Sequence, residues 1–137
     1  MSETNAIRIK TKPDPMEPFF LSQGFKIDNL IFLSGQAAID QQGNIIGIGD
    51  FDAQVEQTFM NVCQLLEVAG SSLEQIFKVT IYLTDMANFP KILELRKHWF
   101  KKPYPADTIV EVSSLALTEL MFEIDIIALA DEKLIDI

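Results

Sequence analysis

Two stretches of this chain carry helical periodicity and about six carry the period of a strand, and two helices can cover only one face of a sheet that wide. The other face must be wetted or buried against another protein. The alternating positions decide which. Along residues 121–130, Phe122, Ile124, Ile126 and Ala128 share one face, while Met121, Glu123, Asp125, Ile127 and Leu129 share the other. The first set is core. The second places two carboxylates in an apolar surround. Asp107, Ile109 and Glu111 give a similar face on the preceding strand, and Lys78, Thr80 and Tyr82 one on the middle strand. A wetted face would not carry Met121, Ile127, Leu129 and Tyr82, so self-association is expected to bury it in part. Its polar groups then need partners, which makes it the expected place for a ligand cleft.

The elements follow from pattern and punctuation. Residues 6–10 alternate as a short edge strand, and the three prolines of 11–18 make a loop. Strands at 22–27 and 30–34 flank Asp28-Asn29, whose side chains tolerate left-handed backbone, so a hairpin is expected. A helix capped by Asp50 or Asp52 runs to Ala69 and stops at Gly70, with Val55, Phe59, Val62, Leu66 and Ala69 on its buried stripe. Cys63 is placed on that stripe too, as inert core. Residues 73–83 read as a strand. A second helix over 88–101, capped by Asn88, stacks Ile92, Leu95 and Trp99 on the core. Strands at 107–112 and 121–130 complete an α/β or α+β domain, a mixed sheet of about six strands with two helices.

The length of 137 residues supports one core, so residues 1–137 are read as a single domain, with 1–5 and 131–137 as loose tails. Asp and Glu number 20 against 11 Lys and Arg, a formal charge of -9, which opposes binding to a phosphate backbone. One cysteine allows no internal disulfide and points to no thiolate metal site. No signal-like or membrane-spanning apolar run appears, and a cytoplasmic protein is expected. His98 stands among lysines at a helix end without a nucleophile or metal partner in view, and reads as a surface residue.

An ordered set of motifs then carries a resemblance. Asn29-Leu30-Ile31-Phe32-Leu33-Ser34-Gly35-Gln36 is followed by Asp40, Gly43, Gln57, Asn61, Leu65, Leu66 and Ala69-Gly70. Next come Val79-Thr80-Ile81-Tyr82-Leu83-Thr84-Asp85, Phe89, Pro105-Ala106 and Phe122-Glu123-Ile124-Asp125-Ile126-Ile127-Ala128. Over residues 22–130 this resembles the RidA/YjgF family, formerly labelled L-PSP endoribonucleases. The resemblance implies a chorismate-mutase-like fold with both helices on one sheet face. It also implies a homotrimer whose sheets form a barrel, and small-molecule clefts between subunits. In the enamine/imine deaminase branch, water attacks an imine carbon and ammonia leaves, with no metal or organic cofactor.

Against that branch the chain departs at several points. The family's carboxylate-clamping arginine directly follows Pro-Ala, where this chain has Asp107, and the family tyrosine near the N-terminus is matched by Leu21 before Ser22-Gln23. An asparagine and a tyrosine of the second helix are matched by Leu93 and Arg96. Glu123 keeps the place of the water-positioning glutamate. An anion where relatives hold a cation repels a carboxylate substrate, so 2-aminoacrylate deamination is expected to be very weak, with Arg96 or Lys78 as alternative cations. Asp107 and Glu123 are expected to line the cleft, as an acid/base pair or an amine-binding pair if they approach each other. Ser34, Gly35 and Gln36 are expected to offer backbone donors, with Leu21, Tyr82 and Arg96 completing the ligand contacts. The alternatives are a non-catalytic binding or regulatory trimer and, more weakly, a ribonuclease.

Overall fold

The computed structural model describes residues 4–137. The chain runs β1 (Ala6–Ile9), β2 (Gly24–Ile27), β3 (Leu30–Gln36), α1 (Phe51–Val68), β4 (Ile76–Leu83), α2 (Phe89–Trp99), β5 (Ala106–Glu111) and β6 (Phe122–Leu129). The hairpin forms as the sequence reads it. Ile27 pairs with Leu30, which leaves Asp28-Asn29 as a two-residue turn, and Asp28 takes a φ of 50°. In α1, Asp50 caps by accepting from the Ala53 amide, and Gly70 leaves the helix at a φ of 80°. Asn88 makes no such bond at α2. The cap is instead built one turn earlier, where Asp85 accepts from Ala87 N in a short 3-10 turn that leads into the helix. Residues 73–75 likewise form a 3-10 turn rather than the start of β4.

All six strands join one sheet in the order β1-β2-β3-β6-β4-β5, antiparallel throughout except for the parallel pair β4 and β5. Each helix links two parallel strands, as crossover connections require. Both helices pack on one face. Ile31, Leu33, Phe122, Ile124, Ile126, Val79, Ile81 and Leu83 bury there with Phe59, Val62 and Leu66 of α1 and Ile92 and Leu95 of α2. Phe59 is fully buried, stacked flat on Trp99 with ring centroids 4.7 Å apart, which ties the two helices together. Cys63 lies at the margin of the stripe, partly exposed, and burial pushes its thiol up from the ordinary value.

Gln54 is a polar residue on the buried stripe with every group used. Its Nε2 donates to Gly47 O and Glu119 O, and its Oε1 accepts from Met121 N, so one side chain ties two loops to the start of β6. Residues 131–137 carry no helix or strand, and their first turn is held by Gln75 Nε2 donating to Glu132 O. Part of the expected N-terminal tail, residues 1–3, lies outside the described residues. No helix among the described residues is long and apolar enough to cross a membrane.

Candidate functional site

The uncovered sheet face carries the first half of the site. A bulge interrupts the pairing of β3 with β6 between Leu33 and Gln36, leaving Ser34-Gly35 opposite Asp125. The absence of a side chain at Gly35 is what lets Glu123 and Asp125 fold over the bulge. A Cβ there would sit 2.5 Å from Glu123 Oε2 and 3.0 Å from Asp125 Oδ1. Tyr82 stands across from Glu123 in the β4/β6 register and donates its hydroxyl to Asp125 Oδ2 at 2.8 Å. Burial first, and the Asp125 charge second, push the Glu123 carboxyl above the ordinary carboxylate range. Tyr82 is held above its usual value chiefly because its proton is committed to Asp125. Ser34 Oγ donates to Ser22 O, fixing the bulge to the chain before β2. Beside these residues a cleft of about 440 Å³ is lined by Ser34, Gly35, Lys78, Thr80 and Asp125 between Phe32 and Ile127. Lys78 Nζ is occupied, donating to Val79 O and Thr108 Oγ1.

Gln36 does not join this cleft. The two-residue bulge turns it to the helix side, where it is 2% exposed and spends its amide on Ser34 O. Asp107 does not join it either. Asp107 pairs in register with Val79, Ile109 with Ile81 and Glu111 with Leu83, which are the core-facing residues of β4. The Asp107 side chain therefore lies on the helix side, on the face opposite Glu123, and the two carboxylates form no pair within one chain. Alternation alone could not assign the face of β5, because its burial is too even along the strand to mark one side as core.

The second half of the site is built around Asp107. Arg96, in the last turn of α2, donates from Nε to Asp107 Oδ2 at 3.0 Å, and both side chains are largely shielded from water. The terminal nitrogens of Arg96 form no hydrogen bond among the described residues. Arg96 and Asp107 line a groove of about 560 Å³ together with Leu93, Glu94, Lys97, Phe100, Tyr104 and Pro105. Tyr104, between two prolines just before β5, is a groove residue the sequence reading passed over. Leu21 lines neither recess and stands exposed in the loop after the short turn at Glu17–Phe19. His98 is exposed at the end of α2, edge-on to Trp99. No cluster of three or more His, Cys, Asp or Glu able to hold a metal ion occurs among the described residues.

Residues 9–130 match the family model described as Endoribonuclease L-PSP. The chain belongs to the RidA/YjgF family. It is 40% identical over 116 residues to a RutC family protein of Pyrococcus horikoshii, covering 85% of this chain and 90% of that one. It is also 30% identical to the 2-iminobutanoate/2-iminopropanoate deaminase of Dermatophagoides farinae, over 84% of this chain and 88% of that protein. Among solved structures, RidA from the Antarctic bacterium Psychrobacter sp. superposes with a TM-score of 0.81 at 32% identity, spanning 89% of this chain and 98% of its own. The mixed sheet with both helices on one face is thus the fold of the RidA/YjgF family.

Proposed function

We propose that this RidA-family chain is the subunit of a hydrolase that releases ammonia from a small imine or enamine, with each working site closed between two subunits of a homotrimer. One observation carries the reading. Glu123, the group suited to position water, and the Arg96/Asp107 groove, the group suited to hold an acid, lie on opposite faces of one sheet. One small molecule can touch both only if a neighbouring chain supplies one of them. The uncovered face has the apolar character such packing needs, with Phe25, Leu30, Phe32 and Val110 each more than a third exposed.

The Arg96 pairing changes what Asp107 means for the substrate. Its charge is offset by a guanidinium that still has its terminal nitrogens to offer, so the groove can hold a carboxylate. The cation reaches in from α2 rather than from β5, which moves the held carboxylate away from the position a β5 arginine would give it. A substrate other than 2-aminoacrylate follows, with 2-aminoacrylate itself turned over poorly. Glu123 orients the attacking water, and neither a metal nor an organic cofactor enters. RNA is a poor fit, given the -9 charge and the pairing of Lys97 with Glu94 and Lys101 with Glu74. We place the protein in the cytoplasm.

The test uses imines generated in place from a panel of amino acids by an amino-acid oxidase, following release of the 2-oxo acid over buffer alone. At least one imine is expected to hydrolyse faster with the protein present, and Glu123→Gln to lose that rate by about 100-fold or more. No acceleration across the panel, or full rate in Glu123→Gln, would overturn the reading.

A further inference from the structure

Asp125 and Tyr82 are left unused by the function just described, yet both are built into the site. Asp125 sits two residues from Glu123 on the same face of β6, and both carboxylates come within 3.0 Å of the point where a Gly35 side chain would begin. Tyr82 meets them from the neighbouring strand, in register with Glu123 but bonded to Asp125. A hydroxyl that donates to a carboxylate fixes its direction. We propose that Tyr82 is a positioning residue that holds the Asp125 carboxylate in place beside Glu123, and that this neighbouring carboxylate makes Glu123 a proton donor as well as a guide for water. The proposal rests on the hydrolytic reading of Glu123 and adds the group that sets its protonation.

The chemistry balances. As the water oxygen bonds to the imine carbon, the C=N π pair moves to nitrogen, which takes the Glu123 proton. The proton lost from the water returns to the Glu123 carboxylate. When the carbinolamine collapses, its hydroxyl proton is released to the carboxylate as Glu123 gives its own to nitrogen, the C–N bond breaks and ammonia leaves. One water is consumed, and the carboxyl ends as it began.

The charged and titratable groups on this face are few. Asp125 stands on β6 itself, Tyr82 and Lys78 on β4, none on the β3 bulge of Ser34 and Gly35, and Arg8 on β1 at the far edge of the sheet, in register with Phe25. Lys78 lies across from Ile127, toward the far end of the strand, with its ammonium engaged elsewhere. Burial and the Asp125 charge act on Glu123 in the same direction.

The test is a carboxyl carbon NMR titration of Glu123 in the full-length protein without ligand, so it reads independently of turnover. In Asp125→Asn the Glu123 midpoint is expected to fall by roughly half a pH unit or more, the worth of a nearby like charge in a partly wet site. In Tyr82→Phe it is expected to fall by a smaller amount. The double variant should match Asp125→Asn alone, because Tyr82 acts through Asp125. An unmoved midpoint in Asp125→Asn or in Tyr82→Phe, or additive shifts in the double variant, would overturn the proposal. If the titration behaves as stated but Glu123→Gln hydrolyses imines at full rate, the hydrolytic reading fails and the coupling of the three groups stands.

Discussion

Replacing Gly35 by alanine separates the geometry of the site from the stability of the fold. The new Cβ would lie 2.5 Å from Glu123 Oε2 and 2.8 Å from its Cδ, where ordinary contact begins near 3.4 Å. The carboxylate must retreat by close to an ångström. It can do so, because it ends a flexible side chain that is only partly buried, and Gly35 lacks the positive φ that would strain an alanine. The small gain from a stiffer unfolded chain offsets much of the crowding, so the unfolding free energy should stay within about 1 kcal/mol of wild type. Turnover should fall by about 100-fold, the usual cost of a 1 Å misplacement of a reacting group. Gly24→Ala is the control. Its Cβ would meet the Phe32 carbonyl oxygen at 2.8 Å and Leu33 Cδ2 at 2.9 Å, and the backbone cannot step aside. That variant should lose about 1–3 kcal/mol of stability. Urea unfolding and imine hydrolysis measured on both proteins decide the matter. A Gly35→Ala protein as unstable as Gly24→Ala, or one with wild-type turnover, refutes the argument.

Three further outcomes follow from the same contacts. Because Glu123 binds its proton more tightly folded than unfolded, its contribution is fully present below the ordinary carboxylate value near 4.5 and is lost as pH rises through the higher folded value. Glu123→Gln, which does not titrate, should therefore equal wild type at pH 4 and be more stable at pH 8 in paired urea melts. Phe59→Ala removes a fully buried ring stacked on Trp99 and should cost about 3–5 kcal/mol, read from the same melts. Arg96→Gln should abolish thermal protection by small 2-oxo acids, weakening their binding about 10-fold or more, and protection equal to wild type would show that the groove does not hold the acid.

The parts of the fold that were legible before the structure are those set by local pattern. The stripe from Val55 to Ala69, the Asp28-Asn29 turn and the Phe122, Ile124, Ile126 face each depend on spacing within one element, and each formed as read. The site was legible only in part, because its geometry depends on how elements meet. Alternation places Asp107 on one of two faces, but only its register against Val79 shows which. Gln36 looked available beside Ser34 and Gly35 until the bulge added a residue to β3 and turned it inward. Tyr82 was singled out on its own, while its partnership with Asp125 required two strands paired through a third dimension that spacing does not encode. The Arg96/Asp107 contact could have been sought, since the basic last turn of α2 and an anion at the start of the next strand are brought close by such a crossover.

The measurement that bears most directly on a site shared between subunits is complementation. Arg96→Ala and Glu123→Ala proteins would be unfolded together in equal amounts, refolded and assayed for imine hydrolysis beside each variant alone. If one chain supplies Arg96 and its neighbour Glu123, each variant alone is inactive and the mixture recovers roughly a quarter of wild-type activity, since that share of interfaces joins two intact halves. A mixture as inactive as its components would contradict the account.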